Sequence, residues 1–209
     1  EGLAPLANGD ERYGFVNRLG RVVIPFIYTD AEMFSEGLAP VSVGTGEAVR
    51  WGYIDMAGRQ VIAPKYLRAF AFAEGLASVA FGERYNTKYG FIDKSGEIVI
   101  RPIYDYAWGF SNGFAAVQLN KKWGFIDSAG NPSIPIKYDE VGIDHQGDLA
   151  FVTLGNKTGF VNKYGRESLF DSVWCYALMD KGYIGVWLNG KKGFADLYGN
   201  FFLTDSGGR

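Results

Sequence analysis

The stretch Trp51-Gly52-Tyr53-Ile54-Asp55-Met56-Ala57-Gly58-Arg59-Gln60-Val61-Ile62 decides the fold class of this chain. Its signature is Gly, an aromatic, a small apolar residue, Asp or Asn, two further residues, and Gly. The same signature begins at Gly14, Gly52, Gly90, Gly124, Gly159 and Gly193, in steps of 38, 38, 34, 35 and 34 residues. Self-similarity at such a period marks a repeat architecture, in which each unit is one supersecondary element. In four copies the preceding residue is Tyr or Trp: Tyr13, Trp51, Tyr89 and Trp123.

A second glycine opens another segment, as in Gly37-Leu38-Ala39-Pro40-Val41 and Gly75-Leu76-Ala77-Ser78-Val79, with weaker copies at Gly147 and Gly182. From the first glycine to this second one the distance is always 23 residues; from the second to the next first it runs 12, 15, 15, 11, 12 and 11. A segment of fixed length is packed, and one of variable length is a surface loop.

These spacings define one unit. The Leu-Ala-Pro-Val segment is a short strand, the variable loop turns the chain, and the Trp-Gly-Phe-Ile segment is a second strand. The Asp/Asn-x-x-Gly step fits a tight turn, because the side chain bonds the backbone ahead and Gly accepts a left-handed conformation. Arg21-Val22-Val23-Ile24 is the third strand, and Pro25, Pro64, Pro102 and Pro135 fit the end of an edge strand. The return leg places Tyr28, Ala31 and Phe34 three apart, with Tyr66, Ala69 and Phe72 in the same register. That spacing predicts a 3₁₀-like or irregular coil with one apolar face. The expectation is an all-β chain: six repeats of a three-stranded meander in one domain over 1–209, with units beginning near 1, 36, 74, 112, 146 and 181. A closed β-propeller-like ring, which removes exposed strand edges, is favoured over an open β-solenoid.

The consensus Trp/Tyr-Gly-Phe-Ile-Asp-x-x-Gly-x-x-Val-Ile-x-Pro-x-Tyr-Asp-x-Ala-x-x-Phe-Ser-Glu-Gly-Leu-Ala-x-Val resembles the WG-repeat (KWG-repeat) family of bacterial proteins. The match is strong in Trp51–Val79, Tyr89–Val117 and Trp123–Tyr138 and fades after Val141, where Asp144 replaces the Phe. The resemblance implies a β-rich interaction repeat, bacterial and exported or envelope-associated in preference to cytoplasmic. It carries over no ligand and no catalytic residues.

Composition agrees with many short strands: 47% hydrophobic, 16% aromatic and 29 glycines in 209 residues. A net charge of −2 without long runs of one sign excludes a basic nucleic-acid footprint. No apolar stretch reaches the ~20 residues that span a bilayer, so membrane insertion is not expected. The opening Glu1-Gly2-Leu3-Ala4-Pro5 lies inside a repeat and is no signal peptide, as in a mature or trimmed chain.

The candidate chemistry is sparse. His145 and Cys175 are the only residues of their types, too few for a zinc site, and are read as a polar loop residue and a small buried hydrophobe. No metal or cofactor is expected. Asp55, Asp93, Asp127 and Asp196 suggest a carboxylate ring for Ca²⁺ or acid–base work, yet Asn17 and Asn162 share their register. A turn tolerates that exchange and a catalytic carboxylate does not. The repeated Trp/Tyr is read as inter-repeat core in preference to a ligand platform; Trp108, Trp174 and Trp187 lie off that register. The two longest loops, Thr45–Arg50 and Glu83–Lys88, are equivalent in successive repeats and should project from one rim. Arg50, Arg84 and Tyr85 are therefore the candidate ligand-binding residues. The expected function is a non-enzymatic scaffold binding a protein or peptide. The alternatives are a carbohydrate-binding or glycan-processing domain and a structural spacer in a larger envelope protein.

Overall fold

The Asp/Asn-x-x-Gly step closes its hairpin by one mechanism. The computed structural model describes residues 1–83, 85–143, 149–171, 173–179, 183–188, 191–196 and 200–203. In it the Asn17 side-chain oxygen accepts hydrogen bonds from the Leu19 and Arg21 amides, both at 3.0 Å. Asp55, Asp93, Asp127 and Asn162 do the same for the residues two and four ahead of them. Gly20 at φ +74° and Gly58 at φ +77° take the left-handed conformation that ends the turn. The repeated carboxylates are thus turn residues, interchangeable with Asn.

By its contacts the chain falls into two units, Glu1–Phe110 and Ser111–Arg209. In the first, β1 (Leu3–Ala7), β2 (Tyr13–Asn17) and β3 (Val22–Tyr28) form a three-stranded antiparallel sheet. Two four-stranded sheets follow: β4 (Asp30–Ala31) with β5 (Leu38–Val43), β6 (Arg50–Asp55) and β7 (Gln60–Tyr66), and β8 (Arg68–Ala69) with β9 (Ala77–Glu83), β10 (Asn86–Ile92) and β11 (Ile98–Tyr104). The unit ends beyond β12 (Tyr106–Ala107). The second unit holds the antiparallel meander β13 (Phe114–Leu119), β14 (Lys122–Asp127) and β15 (Pro132–Tyr138). It also holds the sheet β16 (Glu140–Ile143), β17 (Leu149–Leu154), β18 (Lys157–Asn162) and β19 (Glu167–Phe170). Its last sheet is β20 (Val173–Met179), β21 (Tyr183–Leu188), β22 (Lys191–Asp196) and β23 (Phe201–Leu203).

The three-stranded meander therefore needs a correction. The return leg is coil only in part: residues 32–34 and 70–72 run without regular structure, while Asp30–Ala31 and Arg68–Ala69 are short strands, each adding a fourth strand to the sheet that follows it. Their pairing with Ser42–Val41 and Ala80–Val79 uses the backbone groups of a segment whose apolar spacing alone resembles a helical turn. The return leg then bends through Glu36-Gly37, with both φ positive (52° and 87°), and Ser35 bridges to Leu38. This is the two-residue geometry normally favoured by Asn-Gly. The Glu36 carboxylate accepts from the Gly75 amide at 3.1 Å in the following repeat, as Glu1 accepts from Gly37 at 3.0 Å. Lys94 pairs with the same Glu36 at 3.1 Å.

The proline position also differs from expectation. Pro25 lies inside β3, not at its end. Tyr13 pairs with Tyr28 and Phe15 with Ile24, so three residues of β3 bulge past the single Gly14. A bulge demands no ladder N–H there, which admits Pro. The bulged backbone crosses so near that a Cβ on Gly14 would lie 2.6 Å from the Ile24 carbonyl oxygen; on Gly124 it would lie 2.7 Å from that of Ile134. The glycine of the repeat signature is thus fixed by a backbone crossing.

Between successive sheets lies the core. Phe15 stacks on Phe34, Tyr53 on Phe72 and Phe91 on Phe110, with ring centroids 4.8, 4.8 and 4.9 Å apart. Ile54 joins the cluster of Phe15 and Ile24, and Ile92 joins that of Tyr53 and Ile62, so the second and third repeats each complete the core of the one before. In the second unit Phe125, Ile134, Tyr138, Val152 and Val161 form a further cluster. A fully buried Phe contributes roughly 1.5–3 kcal/mol by leaving water.

Candidate functional site

On each short return strand the alanine faces the core and its neighbours face outward. Those outward positions carry Asp30 and Glu32, then Arg68 and Phe70, then Tyr106. They meet one another across the first unit. The Arg68 guanidinium pairs with Glu32 at 2.6 Å and lies 3.9 Å from Asp30. It also sits over the Trp51 ring at 4.5 Å and the Phe70 ring at 5.3 Å. Phe70 leads on to Tyr89 and Tyr106, themselves 4.8 Å apart. Burial pushes the Glu32 carboxyl up; Arg68 pulls it back and Asp30 adds to the rise. Burial likewise raises the Tyr89 hydroxyl, with Tyr106 adding to the shift and Arg68 opposing it.

Beside this strip lies an open groove of about 830 Å³. The first long loop gives it Glu47, Val49 and Arg50, and the second gives it Glu83, Tyr85 and Thr87. Leu67, Arg68, Ala80 and Tyr89 complete the wall. A smaller depression of about 490 Å³ shares Val49 and Arg68 with it and extends to Tyr13, Asp30 and Trp51. The loops are built differently. Gly46–Ala48 is a single 3₁₀ turn, whereas the second is a hairpin lengthened until Asn86 pairs with Glu83.

Arg50 and Tyr85, two of the residues singled out from sequence, share this groove. Tyr85 is 97% exposed. The Arg50 guanidinium donates to the Glu47 and Val49 carbonyls, each at 2.8 Å. Arg84 and His145 lie outside the described residues, as do the side chains of Cys175 and Trp174. Trp51 is core, at 3% exposure, and Tyr89 both stacks on Tyr106 and lines the groove. Trp108 and Trp187 are each 37% exposed and stand outside the groove's lining. The sequence pattern did not single out Arg68 and Leu67, and it placed Tyr89 in the inter-repeat core, whereas all three line the groove. A signal existed: positions 68 and 70 vary between repeats while Tyr66, Ala69 and Phe72 between and around them keep their type.

Among the described residues no three His, Cys, Asp or Glu side chains gather as a metal site. No described helix is long and apolar enough to cross a membrane.

Sheets of this kind, with a bulge over glycine and cores shared between successive repeats, define a β-sheet repeat protein. The family model for the WG containing repeat matches residues 13–44, 51–85, 89–123 and 123–157. The chain belongs to the WG-repeat family. No curated protein matches the sequence significantly. Among solved structures it is similar to a eukaryotic initiation factor, with TM-score 0.56 and 13% identity over 97% of this chain; it spans 63% of that chain's length. It is similar also to Kluyveromyces lactis Hsv2 with loop 6CD replaced by a Gly-Ser linker, with TM-score 0.52 and 10% identity over 100% of this chain and 80% of that one. At these identities the likeness is one of fold.

Proposed function

We propose that the chain is a non-enzymatic repeat scaffold that binds a protein or peptide partner along the groove between its two long loops. The observation that carries this reading is the convergence of both loops, with Arg50, Tyr85 and Tyr89, on one groove over a rigid sheet. Loops on a stiff repeat frame are where recognition concentrates. The repeated carboxylates support a non-catalytic reading, because Asp55, Asp93 and Asp127 spend their oxygens on turn amides. The proposal also takes the sheets as blades of a closed β-propeller-like ring in preference to an open solenoid. The whole-chain likeness to the β-propeller-like Hsv2 supports that choice.

The test replaces residues 45–48 and trims 83–86 to tight turns, then compares thermal melts and binding of peptides selected on the natural chain from a random display library. The expected result is an unchanged melt with binding lost. Full binding by the trimmed chain would refute the site.

A further inference from the structure

Arg50 occupies a register position whose partner is known from other repeats. The basic residue before the Trp/Tyr is Lys88 in the third repeat and Lys122 in the fourth, and each forms an ion pair with an aspartate 17 residues on, Asp105 or Asp139. In the first repeat the pair is Arg12 and Thr29, joined by a hydrogen bond of 3.4 Å. In the second it is Arg50 and Leu67. The backbone confirms the equivalence: the amides of Thr29, Leu67 and Asp139 donate to the carbonyls of Ser42, Ala80 and Thr153 at 2.8, 2.9 and 2.8 Å. The second repeat has therefore put an apolar side chain where the third and fourth repeats hold an internal counterion and the first a hydroxyl, and both Arg50 and Leu67 line the groove.

The guanidinium is held in place by two backbone carbonyls, which orient it without neutralising it. Among the described residues no carboxylate pairs with Arg50, whereas the neighbouring Arg68 is matched by Glu32. A half-buried cation beside Leu67, Val49 and Ala80 is poorly solvated, so a carboxylate brought to it gains more than at an open surface.

We propose, resting on the groove as the binding site, that its occupant is an extended peptide segment in which a single Asp or Glu, flanked by apolar residues, pairs with Arg50. Glu83 on the exposed rim selects against a polyanion: a chain with a charge on every unit, such as a uronic-acid polymer, would bring a like charge to it. One carboxylate among apolar side chains meets Arg50 and the floor of Leu67 and Ala80 without that repulsion.

Random peptides displayed on phage are selected on the natural chain, on Arg50→Gln and on Leu67→Asp, with oligogalacturonate as a competing ligand. The natural chain is expected to enrich peptides with one acidic residue next to apolar ones. Arg50→Gln loses the acidic preference, and the selected peptides bind it about tenfold or more weakly, as for an interfacial charge pair deprived of one partner. Leu67→Asp restores the internal pair of the third and fourth repeats and lowers affinity comparably, with an unchanged melt. Enriched peptides without acidic preference, an acidic preference that survives Arg50→Gln, or displacement by oligogalacturonate at peptide-like concentration would overturn the proposal while leaving peptide binding at the groove intact. Enrichment of no peptide, or of the same peptides on the loop-trimmed chain, would overturn the groove reading, and this proposal with it.

Discussion

The second repeat and the fifth, which lie in different units, share a turn but not the packing around it. Both close their hairpins with an Asx oxygen on two amides, Asp55 in one and Asn162 in the other. Both place a glycine under a crossing backbone, so that a Cβ on Gly52 would meet the Pro64 nitrogen at 2.7 Å and one on Gly159 the Ser168 carbonyl carbon at 2.9 Å. They part in the third strand. Around Gly52 the pairing shifts register and Pro64 sits in the bulge; around Gly159 the pairing runs without a shift and no proline is present. The aromatic plug changes too. Tyr53 stacks on the return-leg Phe72, whereas Phe160 contacts Phe151 and, more distantly, Phe201. The local turn persists, and so does the glycine under its crossing strand; bulge and plug drift together.

The largest expected effect lies in the plug. Phe72→Ala empties a fully buried site against Tyr53 and should cost about 3–5 kcal/mol by denaturant unfolding. Phe170→Ala removes only a partly buried ring, 4.3 Å from Phe201, and should cost about 0.5–1.5 kcal/mol. Equal losses would erase the contrast between the two regions.

Next comes the glycine common to both. Gly52→Ala and Gly159→Ala should each cost about 1–3 kcal/mol, because backbone must move to admit the methyl group. Gly9→Ala, with nothing within 4 Å of the added carbon, should change stability by less than about 0.5 kcal/mol. A neutral Gly52→Ala would remove the bulge crossing as the reason for the motif glycine.

The smallest effect concerns the Asp turns. Hydrogen bonds from the Arg59 amide to Asp55, from the Ser95 hydroxyl to Asp93 and from the Asn131 side chain to Asp127 hold these carboxyls below the usual range. A carboxyl depressed in the folded state contributes its stability above the unfolded pKa, about 4, and loses it as pH falls through the lower folded value. Thermal melts should therefore decline below about pH 4. Replacing all three by Asn, the residue already present at Asn17 and Asn162, should preserve the fold and flatten that decline. An acid limb of unchanged steepness would show that other groups set it.

The hairpins were legible in the sequence because their cause spans five residues: the Asn17 oxygen reaches only to Leu19 and Arg21. The fourth strand was not, because two residues such as Asp30–Ala31 carry no period and take their strand character from Ser42 and Val41. Nor was the Glu36-Gly37 turn, which lacks the usual Asn; its Glu is used by Gly75, a repeat away. The loop rim holding Arg50 and Tyr85 could be read from length variation alone. Arg68 and Tyr89 could not, since only folding brings a return strand and a signature aromatic beside the loops.

The central claim is that recognition belongs to the groove and the repeated carboxylates belong to the frame. It is tested most directly by measuring how peptides selected on the natural chain bind two triple variants, Arg50→Gln/Tyr85→Ala/Tyr89→Ala and Asp55→Asn/Asp93→Asn/Asp127→Asn. The account predicts that the first raises Kd about tenfold or more, a loss of roughly 1.4 kcal/mol or greater, and that the second leaves it unchanged. Binding that survives the groove variant and fails in the folded Asn variant would contradict it.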